Sequence, residues 1–333
     1  MNVKKLFNGI VTPTHLSNDW IKIAYEHKLF KLFLPHDLGG LGMKFSDTLP
    51  ILQSCAYMNG SLGWIIQIGN GGNVFAAYMN KKVTQQLFAP QHAVLAGSGA
   101  VSGSAIQTQG GYLVSGKWQY CSGADFATFF TANCKTESTD EVLSVVLFSH
   151  QIHIEQDWNS WGLAHTCTHT IVADNVFVED AFTFNLSVIK NKLPGEVFGL
   201  PFIAFAQLYF IQTVYGIYSR LLVELNQIIS DKTEAPRWTS LHHHIQKLTQ
   251  ELEVFSAITN TYARQLESME PDSCLVNAID ECCKQQVSTI RNHAQNLLVN
   301  TGMVMLQKNE PAAGCYLDLM AAMQHGLLNN YEV

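Results

Sequence analysis

Apolar positions recur at helical spacing over residues 20–32, and Pro35 with three glycines then forces a loop through Leu34-Pro-His-Asp-Leu-Gly-Gly-Leu-Gly42. Ser46 stands where it would cap a helix carrying Leu49, Leu52 and Ala56 on one side. Ser61 would cap the next, and a short helix over 83–88 ends at Pro90. Residues 1–90 therefore read as an all-helical domain. Over residues 91–185 the period shortens to alternating or brief apolar runs at 112–114, 128–132, 143–148, 152–154, 170–172 and 176–178, separated by Gly, Asp and Ser clusters. That spacing predicts a small antiparallel sandwich or barrel. Helical periodicity returns over 197–230, 240–267, 273–306 and 312–329, with turns marked by Pro236, Pro271 and Pro311. Residues 195–333 read as an antiparallel four-helix bundle. The pattern as a whole predicts an α+β, mainly α, chain.

Composition sharpens this picture. Of 333 residues, 47% are hydrophobic and only 14% charged, so much of the outer surface is expected to be covered by another copy of the chain, as a homodimer or homotetramer. The net charge of -7 and the absence of any Lys/Arg block longer than two argue against a nucleic-acid or anionic-membrane surface. The most apolar stretch, residues 198–218, is interrupted by Pro201, Gln207, Gln212 and Gly216, so no membrane span is expected. Eight irregularly spaced cysteines fit reduced thiols, and with no visible signal peptide the expected compartment is the cytoplasm.

Several segments carry candidate chemistry. Gly110-Gly-Tyr-Leu-Val-Ser-Gly-Lys-Trp-Gln-Tyr-Cys-Ser-Gly-Ala-Asp125 reads as a hairpin whose aromatic strand ends in small polar residues, and Ala96-Gly-Ser-Gly-Ala-Val-Ser-Gly-Ser-Ala105 as a small-residue loop. Short hydroxyls and backbone N–H groups at loop and strand ends can approach a planar ring and donate to its polar edge. His165-Thr-Cys-Thr-His169 places three metal-ligand side chains on one face of a strand. Zinc sites normally draw on at least two segments, so no metal is expected there. His242, His243 and His244 are adjacent on a helix and point about 100° apart, which suits a solvated or intersubunit face.

These pieces, in this order, resemble the acyl-CoA dehydrogenase superfamily over residues 30–328. Leu34–Gly42 is similar to its Pro-x-x-x-Gly-Gly-x-Gly loop, Gly103-Ser104 to the Gly-Ser of its flavin-contacting loop, and the 110–125 hairpin to its Ser-Gly pattern. Gly162–His169 occupies the place of its Gly-x-Arg-Gly-Thr-Gly-Ser segment, and Leu317–His325 that of its final helix. The resemblance implies an acyl-CoA dehydrogenase-like fold. It also implies a flavin, FAD or alternatively FMN, between β-domain and bundle, contacted by Ser98, Gly103, Ser104, Tyr120, Cys121 and Ser122.

The resemblance implies an oxidoreductase acting on an acyl thioester or a related apolar substrate. Two departures qualify that subtype. No carboxylate stands at Met323-Gln-His-Gly-Leu327 or near Ala206 and Gln207, where the dehydrogenases keep the base that takes a substrate proton. The family's arginines are replaced by Ala164 and Leu317. His325 instead matches a histidine of the flavin monooxygenase branch, which implies a catalytic role there and a flavin reductase or electron-transfer partner. The second alternative is a non-catalytic relative that binds an acyl ligand or a partner protein.

Overall fold

The computed structural model of the protein describes residues 1–12, 15–17, 19–137, 141–230, 236–268, 270 and 272–330; Pro271 lies outside them. The chain opens with α1 (Val3–Leu6), a ribbon of β1 (Val11–Thr12) and β2 (His15–Leu16), then α2 (Trp20–Glu26), α3 (Phe45–Met58), α4 (Gly60–Gly71) and α5 (Lys81–Phe88). Seven strands follow: β3 (Leu95–Thr108), β4 (Gly111–Cys121), β5 (Phe129–Thr136), β6 (Val142–Phe148), β7 (His153–Glu155), β8 (His169–Glu179) and β9 (Thr183–Phe184). Four helices close the chain: α6 (Phe202–Ser230), α7 (Pro236–Ser268), α8 (Ser273–Thr301) and α9 (Pro311–Ala322). Helix α6 is buried on nearly every face, as a helix that is apolar all round must be, and packs on α3, α4, α7, α8 and α9. It ties the N-terminal helices to the bundle. No helix among the described residues is long and apolar enough to cross a membrane.

Local details depart from the sequence reading. Helix α2 stops at Glu26 because Lys28 takes a left-handed conformation, φ 55°. Neither predicted serine caps its helix. Lys44 precedes α3 without a side-chain cap, and Ser46 donates its hydroxyl to Glu267 on α7 at 2.5 Å. Asn59 caps α4 by accepting the Leu62 N–H at 3.1 Å, which frees Ser61 for the site described below. The 34–42 loop is held by the buried Lys31 ammonium, which donates to Leu38 O at 3.3 Å, to Phe88 O at the end of α5 at 2.6 Å and to Pro90 O just beyond it at 2.7 Å.

The β region is one mixed sheet of order β7-β8-β4-β3-β5-β6-β9, rather than a wholly antiparallel sandwich. The parallel pair is β3 with β5. Strand β3 is the 14-residue element that the sequence reading took for a loop, since glycine, serine and alanine are poor strand formers. Its small residues are demanded by packing: a Cβ at Gly103 would overlap the Trp118 ring, and one at Gly97 the Thr131 backbone. The predicted strands at 170–172 and 176–178 are one strand, β8, which bulges at Asn175 with φ 49°. Trp118 centres the sheet's own apolar core, and its indole N–H donates to Asn133 O at 2.9 Å.

Candidate functional site: a hydroxyl chain beside a stacked histidine

The six residues proposed to meet a cofactor divide into separate groups. Tyr120 has φ 63°, and this left-handed residue ends the alternation of β4. Tyr120 itself is turned outward and is 68% exposed. Cys121 points the other way, into the Trp118 core. Burial pushes its thiol up to about 12, and it is hydrogen-bonded to Trp118 O at 3.5 Å. Gly103 likewise lies against Trp118 and Cys134 inside the sheet, so its missing side chain serves packing. Ser98 is half-buried and Ser104 exposed. Ser104 pairs with Ser115, five residues before Tyr120 on β4, or about 17 Å along a strand. Ser104 and Ser122 are therefore not brought to one point.

Ser122 is the buried focus. Its Oγ accepts the Trp64 indole N–H at 2.9 Å and lies 2.9 Å from Thr168 Oγ1. Thr168 is 2.7 Å from Thr166 Oγ1, and Thr166 donates to Leu163 O at 2.8 Å. The proton order along this chain is forced. A carbonyl only accepts, so the Thr166 proton goes to Leu163. Thr168 must then donate to Thr166, and Ser122 to Thr168. An indole only donates, which closes the other end. Every hydroxyl proton is committed inward, so Ser122 can offer a ligand only a lone pair.

Trp64 links this chain to His325. The imidazole stacks on Phe210 of α6 with centroids 3.6 Å apart and tilts against Trp64 at 5.9 Å, while Trp64 and Phe210 are 5.6 Å apart. These three rings themselves occupy the space between α4, α6 and Ser122. Outside the ring stack, Tyr120 is exposed and Ser98 half-buried. His325 Nδ1 accepts the Leu327 N–H at 3.3 Å, so the neutral ring carries its proton on Nε2. Burial lowers its pKa to about 4.

The segment before β8 is clamped from below. The Leu163 N–H donates to Asp318 Oδ1 at 2.6 Å, and the His165 N–H donates to Ser61 Oγ at 3.2 Å. A Cβ at Gly162 would overlap Leu317 O. Asp318 also accepts the Gly60 N–H; burial raises its carboxyl to about 7, against the pull of those two N–H groups. From above, Gly123 N–H donates to Thr166 O at 2.8 Å and Ala124 N–H to Cys167 O at 3.1 Å. Phe210 was not singled out from sequence, and Trp64, Thr166, Thr168 and Asp318 stood out only as members of the Gly63-Trp64, 162–169 and 317–325 segments, with no role of their own. The visible signal was Thr166 and Thr168 alternating with Cys167 and His169.

Two cavities lie elsewhere. One of about 360 Å³ is lined by Arg237, Leu241, His244 and Asn300, and one of about 380 Å³ by Pro35, His36, Gly42 and Pro194.

Comparison with known proteins bears on the fold. No family model matches the chain. The chain is 24% identical over 330 residues to indole-3-acetate monooxygenase of Pseudomonas putida, covering 95% of this chain and 85% of that one. The structure of 3-HSA hydroxylase from Rhodococcus sp. RHA1 superposes with a TM-score of 0.87 at 17% identity, covering 95% of this chain and 87% of that one. XiaF from Streptomyces sp., solved in complex with FADH2 and glycerol, gives 0.83 at 17% identity over 98% and 88% of the two chains. The chain therefore has the acyl-CoA dehydrogenase-like fold of these monooxygenases.

Proposed function

We propose that this chain is the oxygenase component of a flavin-dependent monooxygenase, with FAD as the flavin and FMN as the alternative, acting on an apolar small molecule. The observation that carries the reading is the one-way hydroxyl chain ending at Ser122, joined through Trp64 to the neutral His325. A reduced flavin carries ring N–H donors, and Ser122 is a fixed acceptor, so the residues present suit that group. When bound, reduced flavin supplies the two electrons that allow one atom of dioxygen to be inserted into a substrate. Ser122 would accept a ring N–H by its remaining lone pair once the side chains that bury it give way. Thr168 and Thr166 keep that lone pair directed, and the neutral His325 would donate a hydrogen bond from Nε2–H beside the Phe210 and Trp64 rings. The names of the similar proteins favour this reading over acyl-thioester oxidation. Dehydrogenation also lacks its base, since Gln207 stands near the alternative slot and donates to Asp280 Oδ1 and Leu327 O.

The test uses purified full-length protein with FAD and FMN, each oxidised and chemically reduced. Binding of a reduced flavin, with hydroxylation of an aromatic test substrate when a separate flavin reductase and NADH are supplied, supports the proposal. Flavin that bleaches on addition of an acyl-CoA would move the assignment to dehydrogenation. Failure to bind either flavin in either state would leave the non-catalytic binding role. His325→Ala is expected to lower coupled turnover at least about 100-fold; unchanged turnover would remove His325 from the reaction.

A further inference from the structure

The stretch before β8 has two faces. Thr166 and Thr168 turn inward to Ser122, while Cys167 and His169 turn to Asp125 in the loop after β4. One ligand atom from each of Asp125, Cys167 and His169 lies within 4.8 Å of the other two, and His169 Nε2 is 3.9 Å from Asp125 Oδ2. We infer that Asp125, Cys167 and His169 form a binding site for a thiophilic divalent cation of the zinc type. The inference does not rest on the flavin reading.

The objection raised by the sequence was that His165, Cys167 and His169 belong to a single segment. The fold answers it by leaving His165 exposed and supplying Asp125 from a second segment. The segments are held in register by the backbone bonds from Gly123 to Thr166 and from Ala124 to Cys167. One carboxylate, one thiolate and one imidazole form a mixed set that zinc accepts, and three protein ligands leave a fourth position for water. Bond lengths of about 2.0–2.3 Å set ligand atoms roughly 3.3–3.8 Å apart, slightly closer than here. Asp125 is partly exposed and can swing inward, with Oδ1 anchored by Gln156 Nε2 at 3.0 Å and Oδ2 left to the cation. On binding, an Sγ–cation bond replaces the S–H bond of Cys167, and the proton leaves to solvent.

His169 limits the affinity. Its Nδ1 accepts the Trp158 N–H at 3.1 Å, which places the ring proton on Nε2. Coordination through Nε2 requires that proton to sit on Nδ1 instead, which gives up the Trp158 bond and leaves Asp157 Oδ1, 3.9 Å away, as the carboxylate toward which Nδ1–H must turn. Asp157 is itself oriented by Thr170, whose N–H and hydroxyl donate at 2.9 and 2.6 Å. The tautomer change and the lost Trp158 bond weaken binding relative to a site whose histidine already carries its proton on Nδ1.

The experiment titrates the reduced full-length protein with Co²⁺ and follows the near-ultraviolet thiolate-to-cobalt absorption, then displaces cobalt with Zn²⁺. One equivalent per chain, lost in Cys167→Gly, is the expected result. Glycine suits the φ of 46° at this position, so that variant removes the ligand without endangering the fold. Cys274→Ser, which alters the exposed thiol elsewhere, is expected to keep the band. Asp157→Asn is expected to weaken Zn²⁺ binding about 10-fold. No thiolate band, a band that survives in Cys167→Gly, or zinc binding abolished only by changes at His242 and His243 would overturn the inference.

Discussion

Burial holds the His325 imidazole to a pKa of about 4, against 6.5 for the free side chain. Between those values the unfolded chain binds more protons than the folded one. This residue's contribution to stability therefore grows as pH rises from 4 to 6.5, is complete above that window, and is lost in acid. The span corresponds to about 3 kcal/mol at pH 4. Denaturant melts across pH 4–7 check this: His325→Phe keeps the stack on Phe210 and is expected to flatten the rise. Trp64 is the other residue whose single polar atom matters. Trp64→Phe keeps an aromatic ring beside His325 but removes the donor to Ser122. The expected loss is about 1 kcal/mol of stability and a roughly fivefold weakening of reduced-flavin binding, because Ser122 then has no partner fixing it on that side. Flavin titration of the variant, beside a melt, separates the two effects. Unaltered flavin affinity would remove Trp64 from the binding role.

At the scale of elements, Asp318 decides how α9 meets the sheet. Its carboxylate takes N–H groups from Leu163, in the loop before β8, and from Gly60, at the start of α4. The folded group keeps its proton to about pH 7 and the unfolded one only to 3.8, so its contribution falls as pH rises through that window, opposite in sign to that of His325. Asp318→Asn leaves one N–H without an acceptor. The expected deficit is about 1–3 kcal/mol at pH 5, shrinking toward pH 8, where the wild-type carboxylate is charged and desolvated. Melts at the two pH values test the sign. Element boundaries also show what local pattern can carry. The long apolar periods of α6 to α8 marked those helices to within five residues at each end. The caps of α3 and α4 were misread because serine hydroxyls were claimed by partners far away in sequence, Glu267 and the His165 N–H.

For the whole molecule, the low charge and high apolar content have a visible counterpart. Val299, Met303 and Leu306, near the turn between α8 and α9, are 77%, 67% and 61% exposed. We expect a homodimer or homotetramer by light scattering at micromolar concentration, with Met303→Asp and Leu306→Asp together shifting it toward the monomer. A monomer in the unaltered protein would show that this apolar turn is not an interface. The order helices, sheet, helices was legible in the change of period from 3.6 to 2 and back. Ser122 and His325 were picked out as motif positions, and the fold puts the first in the hydroxyl chain and the second in the ring stack. The packing of Gly103 and Cys121 against Trp118 was not legible, because the pleat that decides which face each residue presents does not show in composition.

By itself, the amino-acid sequence determined the kinds of elements and their order, because periodicity is a property of neighbouring residues. Tertiary structure alone decided that β3 runs parallel to β5 and that Trp64 terminates a hydroxyl chain with one proton direction. It also decided that Asp125 stands opposite Cys167 and His169. Hydrogen-bond direction and ligand clustering depend on which residues, far apart along the chain, are pressed together when the apolar faces are buried.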